Sequence, residues 1–381
     1  MRDVEILVVN CGSSSLKYAV FETDSRAVLA RGLLERVGSP DATIRRGGAT
    51  SPIAAPDHAA GFAEVARLED FSRVAAVGHR VVHGGETFTA PTLVTEEVMA
   101  KLVEMSPLAP LHNPANIVGI QAASAALPGK PQVAVFDTGF HATLPPRAFL
   151  YALPRDLYEE RRVRRYGFHG TSHQYVAEEA ARLLGRPLEG LKVVTLHLGN
   201  GASACAVDGG RSVDTTMGFT PLEGLVMGTR SGDVDPGLVL ELARERGVEA
   251  TLELLNRKSG MLGLCGASDL RDVWAAAEAG DEWSRRALEV FAYRARKTVG
   301  AYAAAMGGLD AVVFTAGVGE NDAGMRALIL EGLGFLGLDF DAEANAARGP
   351  VITRAGSRVT AMVVATDEEW AIASAARGLL A

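Results

Sequence analysis

Apolar residues in this chain come in short runs, and small polar turns follow them. Val4–Val9 is one such run. Beyond Asn10-Cys11-Gly12-Ser13-Ser14-Ser15, the residues Leu16, Tyr18 and Val20 alternate with Lys17, Ala19 and Phe21, the period of a strand. The pattern predicts a hairpin. A second unit of the same kind follows: the run Val193–Leu198, the turn Gly199-Asn200-Gly201-Ala202-Ser203, and a returning strand Ala204–Val207 closed by Asp208-Gly209-Gly210. Residue identity between the two is low, so this is a repeated architecture and not a sequence repeat. Two more strands, Ala311–Thr315 and Val359–Ala365, run into the loops Ala316–Asn321 and Thr366–Glu369. A helix is expected after each, the first through about Glu331 and the second terminal. Thr366 with Glu369 reads as a capping box. A long amphipathic helix is predicted over Asp281–Met306, with Leu288, Phe291, Ala295, Val299 and Tyr302 on one stripe. Asp235-Pro236 opens another, with proline suited to the first turn. Strands alternating with helices place the chain in the α/β class.

At 381 residues the chain is long for one core and reads as two domains. The proline-rich stretch Leu144 to Pro154 is the expected hinge. Ser39–Gly61 has weak periodicity and reads as surface elaboration. The composition, 48% hydrophobic and 22% charged, is that of a soluble globular protein. A net charge of −8 argues against nucleic acid as the main partner, since phosphate neutralisation needs clustered Lys and Arg. The one basic knot, Arg161, Arg162, Arg164 and Arg165, reads as a solvated face. Cys11, Cys205 and Cys265 are widely spaced and form no CxxC, which argues against a disulfide framework or a zinc knuckle. Met1-Arg2-Asp3 leads into an apolar run too short for a secretory leader, and no run approaches membrane-span length. A cytoplasmic protein without membrane attachment is expected.

The turn Asn10–Lys17 carries one glycine, three hydroxyls, an amide and a lysine, the equipment for holding a polyphosphate. A Walker-type loop needs a helix after its glycines; a hairpin follows here, so this is a phosphate loop of another kind. Seven of the eight histidines lie in short polar motifs: His79, His83, His112, His141, His169, His173 and His197, with His58 apart. The pairs His79/His83 and His169/His173 are spaced i, i+4, but neither carries the glutamate of a zincin. They read as turn histidines bonded to backbone or as ligands of an anionic substrate. Arg80, in a strand that ends at Gly84-Gly85, reads equally as an ion-pair anchor or a ligand contact. Arg230 lies among glycines, and its planar fork suits a carboxylate or a transferring phosphoryl group. Asp137 ends a strand, where α/β proteins place ligand groups, or caps the next turn. Glu368 and Glu369 begin a helix, so either dipole complementarity or a magnesium contact explains them. The GxGxxG match at Gly332, Gly334 and Gly337 follows a helix and not a strand, and so fails its context test. Gly317-Val318-Gly319-Glu320-Asn321 does follow a strand, and its glycines can admit an adenosine or its phosphates.

Together these motifs resemble the acetate kinase family. The likeness covers Asn10–Lys17, Gly78–Glu86, Leu108–Pro114, Phe136–His141, Tyr166–His173, His197–Ser203, Gly228–Pro236, Ala316–Asn321 and Ala365–Glu369, in family order along essentially the whole chain. It implies two actin-like (ribonuclease H-like) domains, 1–147 plus 367–381 and 148–366, with ATP in the cleft between them and the second domain nucleotide-binding and dimerising. It implies acetate phosphorylation by ATP, giving acetyl phosphate and ADP, in a homodimer. By position, Asn10 and Glu368 would hold Mg²⁺, with Mn²⁺ as substitute, and Lys17 would reach ATP phosphate. His197, Leu198, Gly199, Asn200 and Gly201 would line the nucleotide site with Gly317, Val318, Gly319, Glu320 and Asn321, and with Asp269, Leu270 and Arg271. Arg80 would bind the acetate carboxylate, and Val82, Leu111 and Pro221 would enclose its methyl. Asp137 would be the catalytic acidic residue; His169 and Arg230, with Asn200 nearby, would stabilise the transition state. Two departures stand out: Asp367 where the family usually shows Asn, and a short segment between Leu33 and Arg80. The rival readings are a propionate or butyrate kinase on the same scaffold, decided at Val82, and a non-catalytic nucleotide-driven switch.

Overall fold

The computed structural model describes residues 4–110 and 112–380. The chain divides into two compact units, residues 1–142 with 367–381, and residues 143–366. The strands are β1 (Glu5–Cys11), β2 (Ser15–Glu22), β3 (Ala27–Glu35), β4 (Thr43–Arg46), β5 (Ala49–Pro52), β6 (Val74–Val81), β7 (Thr92–Leu93) and β8 (Gln132–Phe136) in the first unit. The second holds β9 (Lys192–Leu198), β10 (Ala202–Asp208), β11 (Arg211–Thr215), β12 (Ala311–Thr315) and β13 (Thr360–Val363). The helices that bear on function are, in chain order, α1 (His58–Leu68), α2 (Asn113–Ala126), α3 (Gly170–Leu184), α4 (Pro236–Arg246), α5 (Leu270–Glu278), α6 (Glu282–Met306), α7 (Ala316–Asn321), α8 (Ala323–Leu330) and α9 (Glu368–Gly378).

Both sheets share one plan. In the first, the order is β5-β4-β3-β2-β1-β6-β8-β7. There β3, β2 and β1 pair antiparallel, and β6 and β8 continue parallel to β1. In the second, the order is β11-β10-β9-β12-β13, again three antiparallel strands and then two parallel ones. The two strand–turn–strand units legible in the sequence are thus the central hairpins of two actin-like sheets.

Alternation along β1 and β2 explains the layering of the first unit. Leu7, Val9, Leu16, Tyr18 and Val20 join one cluster with Phe62 and Val65 of α1 and Ala122 and Ala123 of α2. The opposite parity faces α9, where Phe21 meets Trp370 edge-on at 5.9 Å between ring centres. Each fully buried aliphatic side chain contributes roughly 1.5–3 kcal/mol. Close approach of α9 depends on Gly78 of β6, since a Cβ there would sit 2.8 Å from Ile372 Cγ2. That approach brings the start of α9 to the strands carrying the polar residues.

Several elements differ from expectation. Ser39–Gly61 is not mere elaboration, because it contains β4 and β5, which extend the sheet beyond β3. Their residues are largely exposed, so they carry no apolar alternation to announce them. Residues 316–321 form the short helix α7 and not an open loop. The cap of α9 is Asp367, whose side chain accepts from the Trp370 amide at 3.0 Å; the Thr366 hydroxyl pairs instead with Ser172 at 2.8 Å. The basic knot is only half a solvated face. Arg161 and Arg162 are exposed, but Arg164 is buried with its guanidinium 3.7 Å from the Phe149 ring centre. Arg165 donates to the carbonyls of Thr215, Thr216 and Met217 and pairs with Glu223. The amphipathic stripe holds: Leu288, Phe291, Ala295, Val299 and Tyr302 are all buried on α6. Asp235 caps α4 by accepting from the Gly237 amide.

Candidate functional site

In the first unit, β1 passes into β2 through a tight turn in which the Gly12 amide donates to the Ser15 carbonyl at 2.9 Å. No helix follows, and Ser13 and Ser14 lie exposed. Two buried or half-buried side chains brace this turn from outside it. Asn116 of α2 donates to the Cys11 carbonyl at 2.8 Å, and His58 Nε2 lies 2.9 Å from the Gly12 carbonyl. Asn10 pairs in register with Lys17 across the hairpin. Lys17 Nζ lies 2.7 Å from Glu369 Oε1 in the first turn of α9, with Lys17 about half exposed (54%). An exposed pair of this kind contributes at most about 1 kcal/mol.

Arg80 leaves the sheet near the end of β6, and Asp137 follows β8 directly, so parallel pairing sets their side chains together. Arg80 Nε lies 3.0 and 3.1 Å from the two Asp137 oxygens, and Nη2 lies 2.6 Å from Oδ2. The Asp137 charge holds the guanidinium above its ordinary pKa against the opposing effect of burial, with a smaller pull from Glu368. The ion-pair reading of Arg80 therefore holds: it is anchored along one edge, and a quarter of its side chain (25%) stays exposed. Val82, two residues on, is buried, and its amide donates to Asn116 Oδ1 at 3.0 Å. Asn116 thus ties the β1–β2 turn to the strand end beside Arg80; neither its spacing nor its residue type marked it in the sequence. Leu111 lies outside the described residues. His79 bonds Gln132 at 2.7 Å, and burial pushes His79 and His83 down to about 4. These are turn and core histidines.

In the second unit, His169 takes a left-handed conformation (φ 56°) at the start of α3, a region that histidine tolerates better than branched residues. Its Nδ1 lies 2.9 Å from Ser203 Oγ, and its ring stacks on His197 with centres 4.2 Å apart. Gly201 lies where His169 meets Arg230. A Cβ on it would be 3.3 Å from Arg230 Nη2 and 3.6 Å from His169 Nε2. The two cationic-capable groups therefore flank one small space. Arg230 also donates from Nη1 to the Pro221 carbonyl at 2.9 Å, and burial lowers its pKa. Asn200 is exposed, and its side chain crowds Gly228 so closely that a Cβ there has no room. The Arg165–Glu223 pair braces the loop that bears Pro221 and Arg230, with Tyr151 also bonded to Glu223.

The remaining nucleotide candidates divide. His197 is buried, with Nδ1 2.8 Å from Ser172 Oγ, and the Leu198 side chain is buried. Gly199 and Gly201 are half exposed and Gly317 is exposed. Gly319 is packed against Phe314, and Val318 is half buried. Glu320 turns inward, accepting from the Ala316 amide at 2.9 Å and the Thr366 amide at 3.1 Å. Asn321 donates to the Gly317 carbonyl at 2.9 Å. Asp269 caps α5 and pairs with exposed Arg271, whose hydrogen bonds hold Asp269 down to about 2; the Leu270 side chain is buried. An open groove of about 910 Å³ on β3, β4 and β5, lined by Val28, Leu29, Arg31 and Arg46, contains none of these residues.

The family model of the acetokinases matches this chain over residues 5–374. The chain belongs to the acetokinase family. Among acetokinase relatives, the acetate kinase of Leifsonia xyli subsp. xyli is 55% identical over 97% of each chain. The crystal structure of Porphyromonas gingivalis acetate kinase superposes with a TM-score of 0.95 at 44% identity, covering 99% of this chain and 100% of that one. A propionate kinase from Francisella tularensis follows at 0.93 and 39%, covering 98% and 99%.

Among the described residues no cluster of three or more His, Cys, Asp or Glu is arranged to hold a metal. A magnesium site does not require such a cluster. Magnesium keeps most of its waters and takes substrate phosphates, so one or two protein oxygens suffice. The Asn10 amide and the Glu368 carboxylate are hard oxygen donors of that kind, and the donor set fits.

Proposed function

We propose that this protein transfers the γ-phosphoryl group of ATP to acetate, reversibly, giving acetyl phosphate and ADP. The observation that carries this reading is Arg80: a guanidinium fixed by Asp137 along one edge, partly exposed, with the buried Val82 beside it in sequence. That is a receptor for a carboxylate with a short apolar tail. Val82 is assigned to the methyl group on this reading, and Leu111 and Pro221 keep the substrate-binding roles that the family resemblance gives them.

An acetate oxygen attacks the γ-phosphorus, the bond to the β–γ bridging oxygen breaks, and its electron pair leaves on ADP. Acetate is already ionised, so no base removes a proton. Positioning and charge neutralisation are the main demands. Asp137 acts by holding Arg80 and not as a base. His169 and Arg230, with Asn200, take the charge that develops on the phosphoryl oxygens. Lys17, His197, Leu198, Gly199, Gly201, Asp269, Leu270, Arg271 and residues 317–321 serve the nucleotide, the buried Leu198 and Leu270 through backbone alone. Mg²⁺, or Mn²⁺ in its place, would be held by Asn10 and Glu368 and supplies neutralisation of phosphate charge when bound. The first unit on this reading is the acetate-binding domain, and the second is the nucleotide-binding and dimerising one. Exposed Leu240 (68%), Trp283 (55%) and Tyr293 (58%) on the second unit support a homodimer, testable by sedimentation. The place of action is the cytoplasm, where ATP is available.

The test supplies ATP, Mg²⁺ and acetate, propionate or butyrate in turn and traps acyl phosphate with hydroxylamine. Acetate should give the highest kcat/KM. Some propionate turnover is expected, since one methylene is worth only roughly 1–3 kcal/mol. ATP hydrolysis insensitive to all three acids would favour a nucleotide-driven switch.

A further inference from the structure

The parallel pairing of β6 with β8 ends at Val81 opposite Phe136, and the next three amides donate to side chains. Val82 donates to Asn116 Oδ1 at 3.0 Å, His83 to Asn113 Oδ1 at 3.1 Å and Gly84 to Thr138 Oγ1 at 3.1 Å. Asn113 (0% exposed) and Asn116 (4%) both lie in the first half of α2. Asn113 also donates from Nδ2 to the His83 carbonyl at 3.0 Å, so it holds one residue by both backbone groups. Asn116 spans two segments instead. Its Nδ2 donates at 2.8 Å to the carbonyl of Cys11, 105 residues away in sequence.

The orientation of the Asn116 amide follows from its partners. A backbone N–H only donates and a carbonyl only accepts, so Oδ1 must face Val82 and Nδ2 must face Cys11. The flipped amide would leave both buried partners unpaired, which is costly. The helix that carries Asn116 is itself seated on the end of β1. Gly119 lies three residues further along the same side of α2, and a Cβ on it would sit 2.5 Å from Cys11 Cβ. Close contact at Gly119 and the hydrogen bond at Asn116 thus refer the position of Val82 to the end of β1.

We propose that Asn116 is a positioning residue for acyl-chain selectivity: by holding the Val82 backbone at a fixed place, it sets the depth of the pocket that takes the methyl group of acetate. Val82 is β-branched and stiff about χ1, so its two methyls go where its backbone goes. A wall that discriminates one methylene has to be held within about half an ångström. The link to acyl length rests on the proposed kinase reaction; the backbone clamp does not.

The test joins two measurements on Asn116→Ala. Deuterium exchange resolved to single residues by mass spectrometry should show the Val82 amide exchanging roughly 10-fold faster than in the native chain. Hydroxylamine trapping should show the propionate-to-acetate ratio of kcat/KM raised roughly 3- to 10-fold, part of the discrimination one methylene carries. Asn116→Asp keeps an oxygen for the Val82 amide and should retain native protection there and the native ratio. Asn116→Ser, too short to span both partners, should move both readouts as alanine does and replaces it where alanine does not fold. Ser124→Gly, at an exposed site on the same helix, weakens α2 without touching Val82 and should leave the ratio native. Native Val82 protection or a native ratio in folded Asn116→Ala or Asn116→Ser overturns the proposal. So does a ratio that shifts equally in Ser124→Gly, or a loss of Val82 protection in Asn116→Asp. If the native chain forms no acyl phosphate, the kinase reading fails and the selectivity role with it, yet exchange at Val82 still decides the clamp.

Discussion

Replacing Asp137 by Asn separates two jobs that a buried carboxylate could do. The native pair consists of three short contacts between Arg80 and Asp137, with the aspartate side chain only 2% exposed and that of Arg80 25% exposed. Removing one partner of a buried pair costs about 3–5 kcal/mol. Water reaches part of Arg80, and the amide keeps one acceptor, so about 2–3 kcal/mol is the appropriate figure here. For units of this size that lowers Tm by roughly 4–12 °C. The larger consequence is on acetate. A guanidinium released from its anchor no longer presents a fixed edge, and kcat/KM for acetate should fall by about 100-fold or more, with much of the loss in KM. The assay is hydroxylamine trapping over a range of acetate concentrations, run beside thermal unfolding. A variant with native KM for acetate and a collapsed kcat would point to direct chemistry by Asp137 and refute the positioning role. Native stability with native kinetics would refute the importance of the pair altogether.

Three further outcomes are expected. Arg230→Ala should stay folded, because its side chain is half buried and, among the described residues, bonds only the Pro221 carbonyl; its kcat should drop by about 10³-fold or more, the scale of a transition-state arginine, and near-native turnover contradicts the assignment. Val82→Ala should raise the propionate-to-acetate ratio of kcat/KM by roughly 10-fold or more, read in the same trapping assay; an unchanged ratio removes Val82 from the pocket. Stability should fall as pH falls from about 6.5 to about 4, because burial pushes His79 and His83 down to about 4. In that window the unfolded chain binds protons that the folded chain does not, at about 1.4 kcal/mol per pH unit for each histidine. Urea unfolding at pH 7 and pH 5 measures this, and His79→Gln should make the acid limb shallower.

What could be read from the residues was local and periodic. The β1–β2 and β9–β10 hairpins, the α6 stripe and the Asp235 cap each depend on neighbours within a few positions, and each stands in the structure. The strands β4 and β5 were not visible, because exposed edge strands bury too little to enforce alternation. Arg164 and Arg165 read as solvent-facing until Phe149 and the carbonyls of residues 215–217 came into contact with them. In the same way, Asn116 gains its contacts with Cys11 and Val82 only when strands and helices distant in sequence meet. Arg80, His169 and Arg230 stood out in the sequence as candidates by residue type and motif; the side chains that hold them did not, since a buried amide or hydroxyl leaves no pattern in one sequence.

The most direct measurement of the central claim is acyl hydroxamate formed from ATP, Mg²⁺ and acetate by the purified protein. The account predicts acetyl hydroxamate in step with ADP release, at a higher kcat/KM for acetate than for propionate or butyrate. ADP release with no hydroxamate from any of the three acids would contradict it.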